Sequence, residues 1–139
     1  MVEVFFYGLF MDINLLTKKG ITAGNPRKAS VKGYGLRIGT RATLLPAPAE
    51  TAFGLIMELT DSDLQRLYAE PSVSDYKPEK IRVVTDENDQ VDVICYNLPA
   101  SMVTGSNLNY ARELVELVGS LGFPDSYIQR LEKIATTPS

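Results

Sequence analysis

The sequence predicts an α+β fold built on a strongly curled sheet or a small β-barrel. Five or six strand-like segments come first and the clear helices cluster after them, unlike the regular alternation of a doubly wound fold. One strand-like segment is interrupted by three glycines, and glycines inside strands mark bulges or sharp curvature. The 139 residues are enough to bury one hydrophobic core.

The composition limits the chemistry open to the chain. With 139 residues, 45% of them hydrophobic, we expect a single domain over residues 1–139. The sequence has no histidine, which excludes a histidine-based triad and histidine-ligated metal sites. Its one cysteine, Cys95, excludes an intrachain disulfide, a cysteine-rich zinc site and an iron–sulfur cluster. Proton transfer must then rely on Asp, Glu, Tyr, Lys or Arg.

The charge and hydropathy patterns predict no nucleic-acid partner and no membrane partner. The net charge of −3 makes the chain a poor match for phosphate backbones. It contains no run of about 18 apolar residues, as a membrane span requires. No basic region precedes the first apolar segment, so we predict no signal peptide. With its unpaired cysteine, the chain is expected to be cytoplasmic.

The N-terminal part is predicted to contain one strand and one short helix. Residues 1–7 are rich in β-prone side chains, and Gly8 ends the run. Residues 12–19 predict one or two helical turns with Asp12 as the N-cap. The polar residues 21–30 predict a loop or an irregular edge.

Two further strands are predicted in the middle of the chain. Residues 51–59 alternate well enough to be a strand, and residues 42–48 predict a loop because two of them are proline. Residues 29–39 are strand-like but carry three glycines, which are Gly33, Gly35 and Gly39.

A helix and a hairpin are predicted next. Thr60 suits the N-cap of a helix over residues 60–69. The strands expected over residues 80–85 and 91–98 flank residues 86–89, whose composition is typical of a hairpin turn.

Two amphipathic helices are predicted at the end of the sequence. Apolar residues at helical spacing indicate helices over residues 107–121 and 125–135, with a break at Gly122. Such helices usually pack on their own domain, but they also suit a dimer interface, so a monomer or a homodimer is expected. We expect residues 136–139 to fray.

The first candidate site is the turn that ends the first strand. A strand that stops at glycine before a short helix can present successive backbone N–H groups to a carboxylate or a phosphate. The alternative is a tight connection that binds nothing. The turn consists of Tyr7, Gly8, Leu9 and Phe10.

The second candidate is Glu70, which follows a predicted helix, precedes Pro71 and lies six residues before Tyr76. It is either a solvated charge at a helix end or a carboxylate aimed into a cavity with Tyr76 beside it. Burial raises the pKa of a carboxyl group in general, which makes it a useful base near neutral pH. Arg37 and Arg41 are weaker candidates for receiving a substrate carboxylate.

Several segments occur in an order that resembles a known family. They are residues 4–8, a hydrophobic strand into Tyr-Gly; residues 41–46, Arg-Ala-Thr-Leu-Leu-Pro; residues 52–59, a strand containing Gly54; the helix ending near Glu70 with Tyr76 after it; and residues 122–128, Gly-Phe-Pro-Asp-Ser-Tyr-Ile. This set resembles the gamma-glutamylcyclotransferase-like family over about residues 3–131, nearly the whole chain.

The resemblance implies a small mixed β-barrel or strongly curled sheet flanked by helices. It implies an enzyme that cyclises γ-glutamyl amines, releasing 5-oxoproline and a free amine without metal or cofactor. Glu70 would be the general base and acid, and Tyr76 would line the pocket and hydrogen-bond the substrate or Glu70. Backbone N–H groups of the Tyr7, Gly8, Leu9 and Phe10 turn would hold the α-carboxylate and the developing oxyanion.

The sequence departs from the family pattern at Leu9, where the family has Ser or Thr, and at Pro71, where glycine is frequent. Three functions therefore stay open. The first is a γ-glutamylamine cyclotransferase with Glu70 as base. The second is a catalytically silent member that binds a small acidic metabolite. The third is a structural or interaction domain. The leaving amine is not indicated.

Overall fold

The computed structural model describes residues 1–136 and contains a closed five-stranded barrel. Its strands are β1 (Val2–Phe6), β2 (Gly24–Ile38), β3 (Ala42–Leu59), β4 (Lys77–Thr85) and β5 (Gln90–Asn97). They lie in the order β1–β3–β2–β4–β5 around the barrel. β1 runs parallel to β5, and the other neighbours are antiparallel. The predicted α+β class and the small mixed barrel are confirmed.

The helices flank the barrel. They are α1 (Ile13–Lys18), α2 (Asp61–Tyr68), α3 (Leu108–Leu121) and α4 (Asp125–Thr136), with short 3-10 helices at Leu9–Met11 and Ala100–Met102. The predicted N-caps Asp12 and Thr60 are confirmed, because their side-chain oxygens accept hydrogen bonds from the backbone N–H groups of Asn14 and Asp63. The predicted β4–β5 hairpin is also present.

The predicted loop over residues 42–48 is wrong, because these residues begin β3. Pro46 lies opposite Tyr34 of β2 in the ladder. This end of β3 lies beyond its pairing with β1, which involves residues 55–59 of β3. A proline lacks an N–H but is tolerated where one side of a strand carries no partner.

The irregular edge predicted over residues 21–30 is partly correct. β2 begins at Gly24, earlier than expected, but its register with β3 shifts between Gly24 and Arg27. Asn25 in this stretch has a φ of 47°, in the left-handed region. Fraying was expected over residues 136–139; Thr136 is the last residue of α4, and residues 137–139 lie outside the described residues.

The barrel and its helices share one hydrophobic core. Apolar side chains of α3 and α4, including Leu114 and Leu131, belong to the same buried cluster as those of β1 and β3. The Phe53 ring of β3 lies 4.9 Å from the Tyr127 ring of α4, measured between centroids. The two C-terminal helices therefore pack on the barrel.

Gly54 allows β1 and β3 to approach closely. A Cβ atom at this position would lie 2.2 Å from the carbonyl oxygen of Phe6 and 2.8 Å from the ring of Phe5. The conflict is with backbone, which cannot swing away as a flexible side chain would. The glycine in this strand is therefore required by packing.

Candidate active site

A cavity of about 310 Å³ opens where β1 ends. The turn after β1, the end of α1 and the connection between α2 and β4 contribute to its wall. The structure brings together all six site residues predicted from the sequence, which are Tyr7, Gly8, Leu9, Phe10, Glu70 and Tyr76.

Tyr7 contributes to the floor of the cavity from a buried position. Its hydroxyl donates a hydrogen bond of 2.7 Å to the carbonyl oxygen of Tyr96 in β5. Burial raises the pKa of Tyr7 well above its ordinary value. The Tyr7 phenol is therefore a neutral group that ties the start of the turn to β5, the strand next to β1 in the barrel.

The turn itself contacts Tyr110 of α3. The Leu9 backbone N–H donates to the Tyr110 hydroxyl at 3.2 Å. A Cβ atom on Gly8 would lie 2.3 Å from the same hydroxyl oxygen, so only glycine lets Tyr110 sit this close. Burial raises the pKa of Tyr110, which keeps its phenol protonated at neutral pH. Tyr110 thus places a hydroxyl directly on the predicted anion-binding turn.

Glu70 lies in the connection after α2 and faces the cavity. Both carboxylate oxygens accept hydrogen bonds from the Lys19 ammonium, at 3.0 Å for Oε1 and 2.8 Å for Oε2. The Glu70 side chain is 37% exposed, so it is neither freely projecting nor fully withdrawn from water. The carboxylate and the Gly8–Phe10 turn line one cavity.

Tyr76 also lines the cavity. Its hydroxyl donates to the carbonyl oxygen of Ala42, at the start of β3. Arg41 lies over its ring, with the guanidinium carbon 5.9 Å from the ring centroid, and also pairs with Asp75 at 3.2 Å. Tyr76 is thus held by its hydrogen bond to the start of β3 and by the Arg41 guanidinium over its ring.

Tyr68 completes an aromatic wall. It stacks on Tyr96 with centroids 3.8 Å apart and meets Phe10 edge-on at 6.0 Å. Burial raises the pKa of Tyr68 well above its ordinary value, so this wall is neutral. The charged side chains lining the cavity within residues 1–136 are those of Lys19, Arg41 and Glu70.

Sequence reasoning missed Lys19, Tyr68 and Tyr110 as cavity residues. Lys19 ends the segment predicted as a helix over residues 12–19, where a cation is common without any role in a site. Tyr68 and Tyr110 lie in amphipathic helices, where they cannot be told from residues that pack on the core. Arg41, a weaker candidate, does line the cavity. Arg37 instead pairs with Glu50 at 2.5 Å on the barrel surface.

The structure also describes the cysteine, the groups that could bind a metal, and the helices that could span a membrane. Cys95 is buried in β5, and burial raises the pKa of its thiol, as expected for an unreactive side chain. Across residues 1–136, no three His, Cys, Asp or Glu side chains are grouped so that they could hold a metal ion. In the same part of the chain, no helix is long and apolar enough to cross a membrane.

The buried tyrosines predict a loss of stability at alkaline pH. Burial raises the pKa of Tyr76 and of Tyr127 to about 12, above the ordinary value of 10.0. Between these values the unfolded chain releases phenolic protons that the folded protein keeps, so the free energy of unfolding falls as pH rises. For the well-buried Tyr127 the loss is about 2–3 kcal/mol.

Urea unfolding at a series of pH values checks this expectation. Tyr127→Phe should show a shallower decline than the wild-type protein, since it has one fewer phenol to ionise. If the free energy of unfolding declined equally steeply with pH in both proteins, ionisation of Tyr127 would not be a cause of the loss.

The comparisons with known proteins agree with this architecture. The family model described as gamma-glutamyl cyclotransferase, AIG2-like, matches residues 4–115. A solved structure named gamma-glutamyl cyclotransferase is 17% identical, with a TM-score of 0.78, covering 99% of this chain and 89% of that one. An uncharacterized protein from Homo sapiens is 19% identical, with a TM-score of 0.79 and the same coverage.

YkqA from Bacillus subtilis is 21% identical, with a TM-score of 0.82, covering 99% of this chain and 55% of that one. At these identities the structural likeness shows the fold. Among curated proteins, none matches the sequence at a significant level.

Fold and cavity together define an α+β barrel protein with a cavity of small-molecule size at the end of its first strand. The family match covers most of the sequence. The chain belongs to the gamma-glutamyl cyclotransferase family, AIG2-like.

Proposed function

We propose that the protein is a γ-glutamylamine cyclotransferase that releases 5-oxoproline and a free amine, with Glu70 as general base and acid. One observation carries the proposal: Glu70 and the residues of the Gly8–Phe10 turn line the same cavity of about 310 Å³. A proton acceptor and a row of N–H donors are the two elements that this ring closure needs.

The reaction is an intramolecular acyl transfer. The α-amine of the substrate attacks its own γ-carbonyl carbon, a new C–N bond closes a five-membered ring, and the C–N bond to the leaving amine breaks. Because the nucleophile is tethered to its target, effective molarity supplies several kcal/mol of the acceleration. The Glu70 carboxylate takes a proton from the α-ammonium and then gives it to the departing amine.

The turn supplies the electrostatic part of the mechanism. Backbone N–H groups of Gly8 and Phe10 would bind the α-carboxylate and the oxyanion that develops on the γ-carbonyl, and the Leu9 N–H would act through Tyr110. The Leu9 N–H already donates to the Tyr110 hydroxyl at 3.2 Å. Because a hydroxyl accepts and donates at once, Tyr110 would extend this row of donors toward the substrate. Leu9 itself has no hydroxyl, so Tyr110 is the group positioned to supply one.

A panel of γ-glutamyl amines tests the proposal. We expect at least one member to yield 5-oxoproline and the free amine in equal amounts, measured by chromatography of both products. No release from any member, under conditions in which the protein stays folded by circular dichroism, would contradict it.

A second candidate is a non-catalytic protein that binds a small acidic metabolite. The charges in the cavity favour it, since the lining carries two cations, Lys19 and Arg41, and one carboxylate, that of Glu70. Measurable binding of glutamate-like ligands without turnover, by calorimetry, would support this alternative. The cytoplasmic location and the monomeric or homodimeric state stay predictions.

A further inference from the structure

We infer that Lys19 is a positioning residue, which holds the Glu70 carboxylate at the cavity wall and acts on the reaction through it. This inference rests on the proposed function. It concerns how the base is kept in place in a connection that offers little other support.

The contact engages the whole carboxylate. Lys19 Nζ lies 2.8 Å from Oε2 and 3.0 Å from Oε1 of Glu70, so one ammonium bridges both oxygens. Each carboxylate oxygen has two acceptor sites, so this bridge leaves one on each oxygen for the substrate amine. The bridge therefore orients the Glu70 carboxylate and still leaves acceptor sites on it for the substrate amine.

The backbone of Lys19 lies in a hydrogen-bonded segment with buried neighbours. Its backbone N–H donates to the carbonyl oxygen of Leu16 at 3.0 Å, and the next N–H, that of Gly20, donates to the carbonyl oxygen of Thr17 at 3.0 Å. Leu16 and Ile21 on either side are buried, and the Ile21 N–H donates to the Leu16 carbonyl at 3.0 Å. The Lys19 side chain thus extends from this packed segment to Glu70, which lies 51 residues later in the sequence.

Glu70, in contrast, lies in an exposed connection. Pro71 and Ser72 after it are exposed, and its own backbone carbonyl accepts one turn hydrogen bond, from Val73 at 3.0 Å. A glutamate side chain with several free torsions loses considerable rotamer entropy when it is held in one orientation. The Lys19 bridge is the contact that offsets this loss.

Replacing Lys19 by methionine tests the inference. We expect Lys19→Met to lower kcat by about 10- to 100-fold, the size of effect that a misplaced catalytic group produces, with KM changed by less than about twofold. Lys19→Arg should restore part of kcat, because a guanidinium can also bridge a carboxylate. In a Glu70→Gln background, Lys19→Met should cause no further loss.

Lys18→Met is the matched control. Lys18 is the neighbouring residue, is exposed, and does not line the cavity, so this variant should keep the wild-type kcat. A kcat for Lys19→Met equal to that of Lys18→Met would overturn the inference. So would a fall in KM at unchanged kcat, since Lys19 would then compete with the substrate for Glu70.

A second measurement separates this inference from the proposed function. In NMR spectra of the lysine side-chain ammonium groups, the Lys19 signal should be lost or shifted in Glu70→Gln. A Lys19 signal that does not respond to Glu70→Gln overturns the positioning contact alone. A wild-type protein that turns over no γ-glutamyl amine overturns the proposed function, and the catalytic role of Lys19 with it.

Discussion

Replacing Glu70 by glutamine is expected to lower the release of 5-oxoproline by about 10²- to 10⁴-fold, the contribution typical of a general acid–base group. Glutamine has the shape of glutamate, but its amide cannot take a proton from the substrate ammonium. Steady-state kinetics on the best γ-glutamyl amine of the panel measures the effect.

The fold should survive this change. The Lys19–Glu70 pair is partly exposed, with side-chain exposures of 29% and 37%, and such pairs contribute at most about 1 kcal/mol to stability. Glu87→Gln, in the exposed β4–β5 turn, is the control for loss of a carboxylate elsewhere and should keep full activity. A Glu70→Gln protein with wild-type kcat would show that another group carries the proton.

The largest effect on stability is expected for Gly54→Ala. The added methyl group would meet the Phe6 carbonyl oxygen at 2.2 Å and the Phe5 ring at 2.8 Å, so β1 and β3 must separate. Overpacking of this kind against backbone is expected to lower the free energy of unfolding by about 3 kcal/mol. Urea unfolding followed by far-ultraviolet circular dichroism measures it.

Gly119→Ala adds the same methyl group as Gly54→Ala, but it is expected to stabilise the protein. Gly119 lies in α3, and a Cβ atom there would have no neighbour within 4 Å. Alanine in place of a helical glycine should raise the free energy of unfolding by about 0.5–1 kcal/mol. If both variants shifted stability in the same direction, the packing account of Gly54 would be wrong.

The parts of the candidate site that could be predicted from sequence are those with local signals. A strand that ends at Gly8, and an acid that follows a helix and precedes Pro71, are both visible in a few residues. Tyr110 was not visible in this way, because it meets Leu9 across 101 residues. Lys19 likewise meets Glu70 across 51 residues, and its type alone suggested only a helix end.

The same difference between local signals and long-range contacts applies to the prediction of the fold. Helix caps such as Thr60 depend on neighbouring residues and were predicted correctly. The β3 segment around Pro46 was predicted as a loop, because proline is a strong local signal against strands. Whether a proline faces a partner strand or an open side is decided by tertiary pairing, which the local sequence does not contain.

The parallel pairing of β1 with β5 has a consequence for biosynthesis. The register joins Val4 to Ile94, so the ring of strands cannot be completed until most of the chain has left the ribosome. Until then a nascent β1–β3–β2 sheet would present unpaired strand edges, which are sites for association with other chains. Contacts between residues so distant along the chain also slow folding. Closure of the barrel by β1–β5 pairing is therefore expected to be a late step in folding.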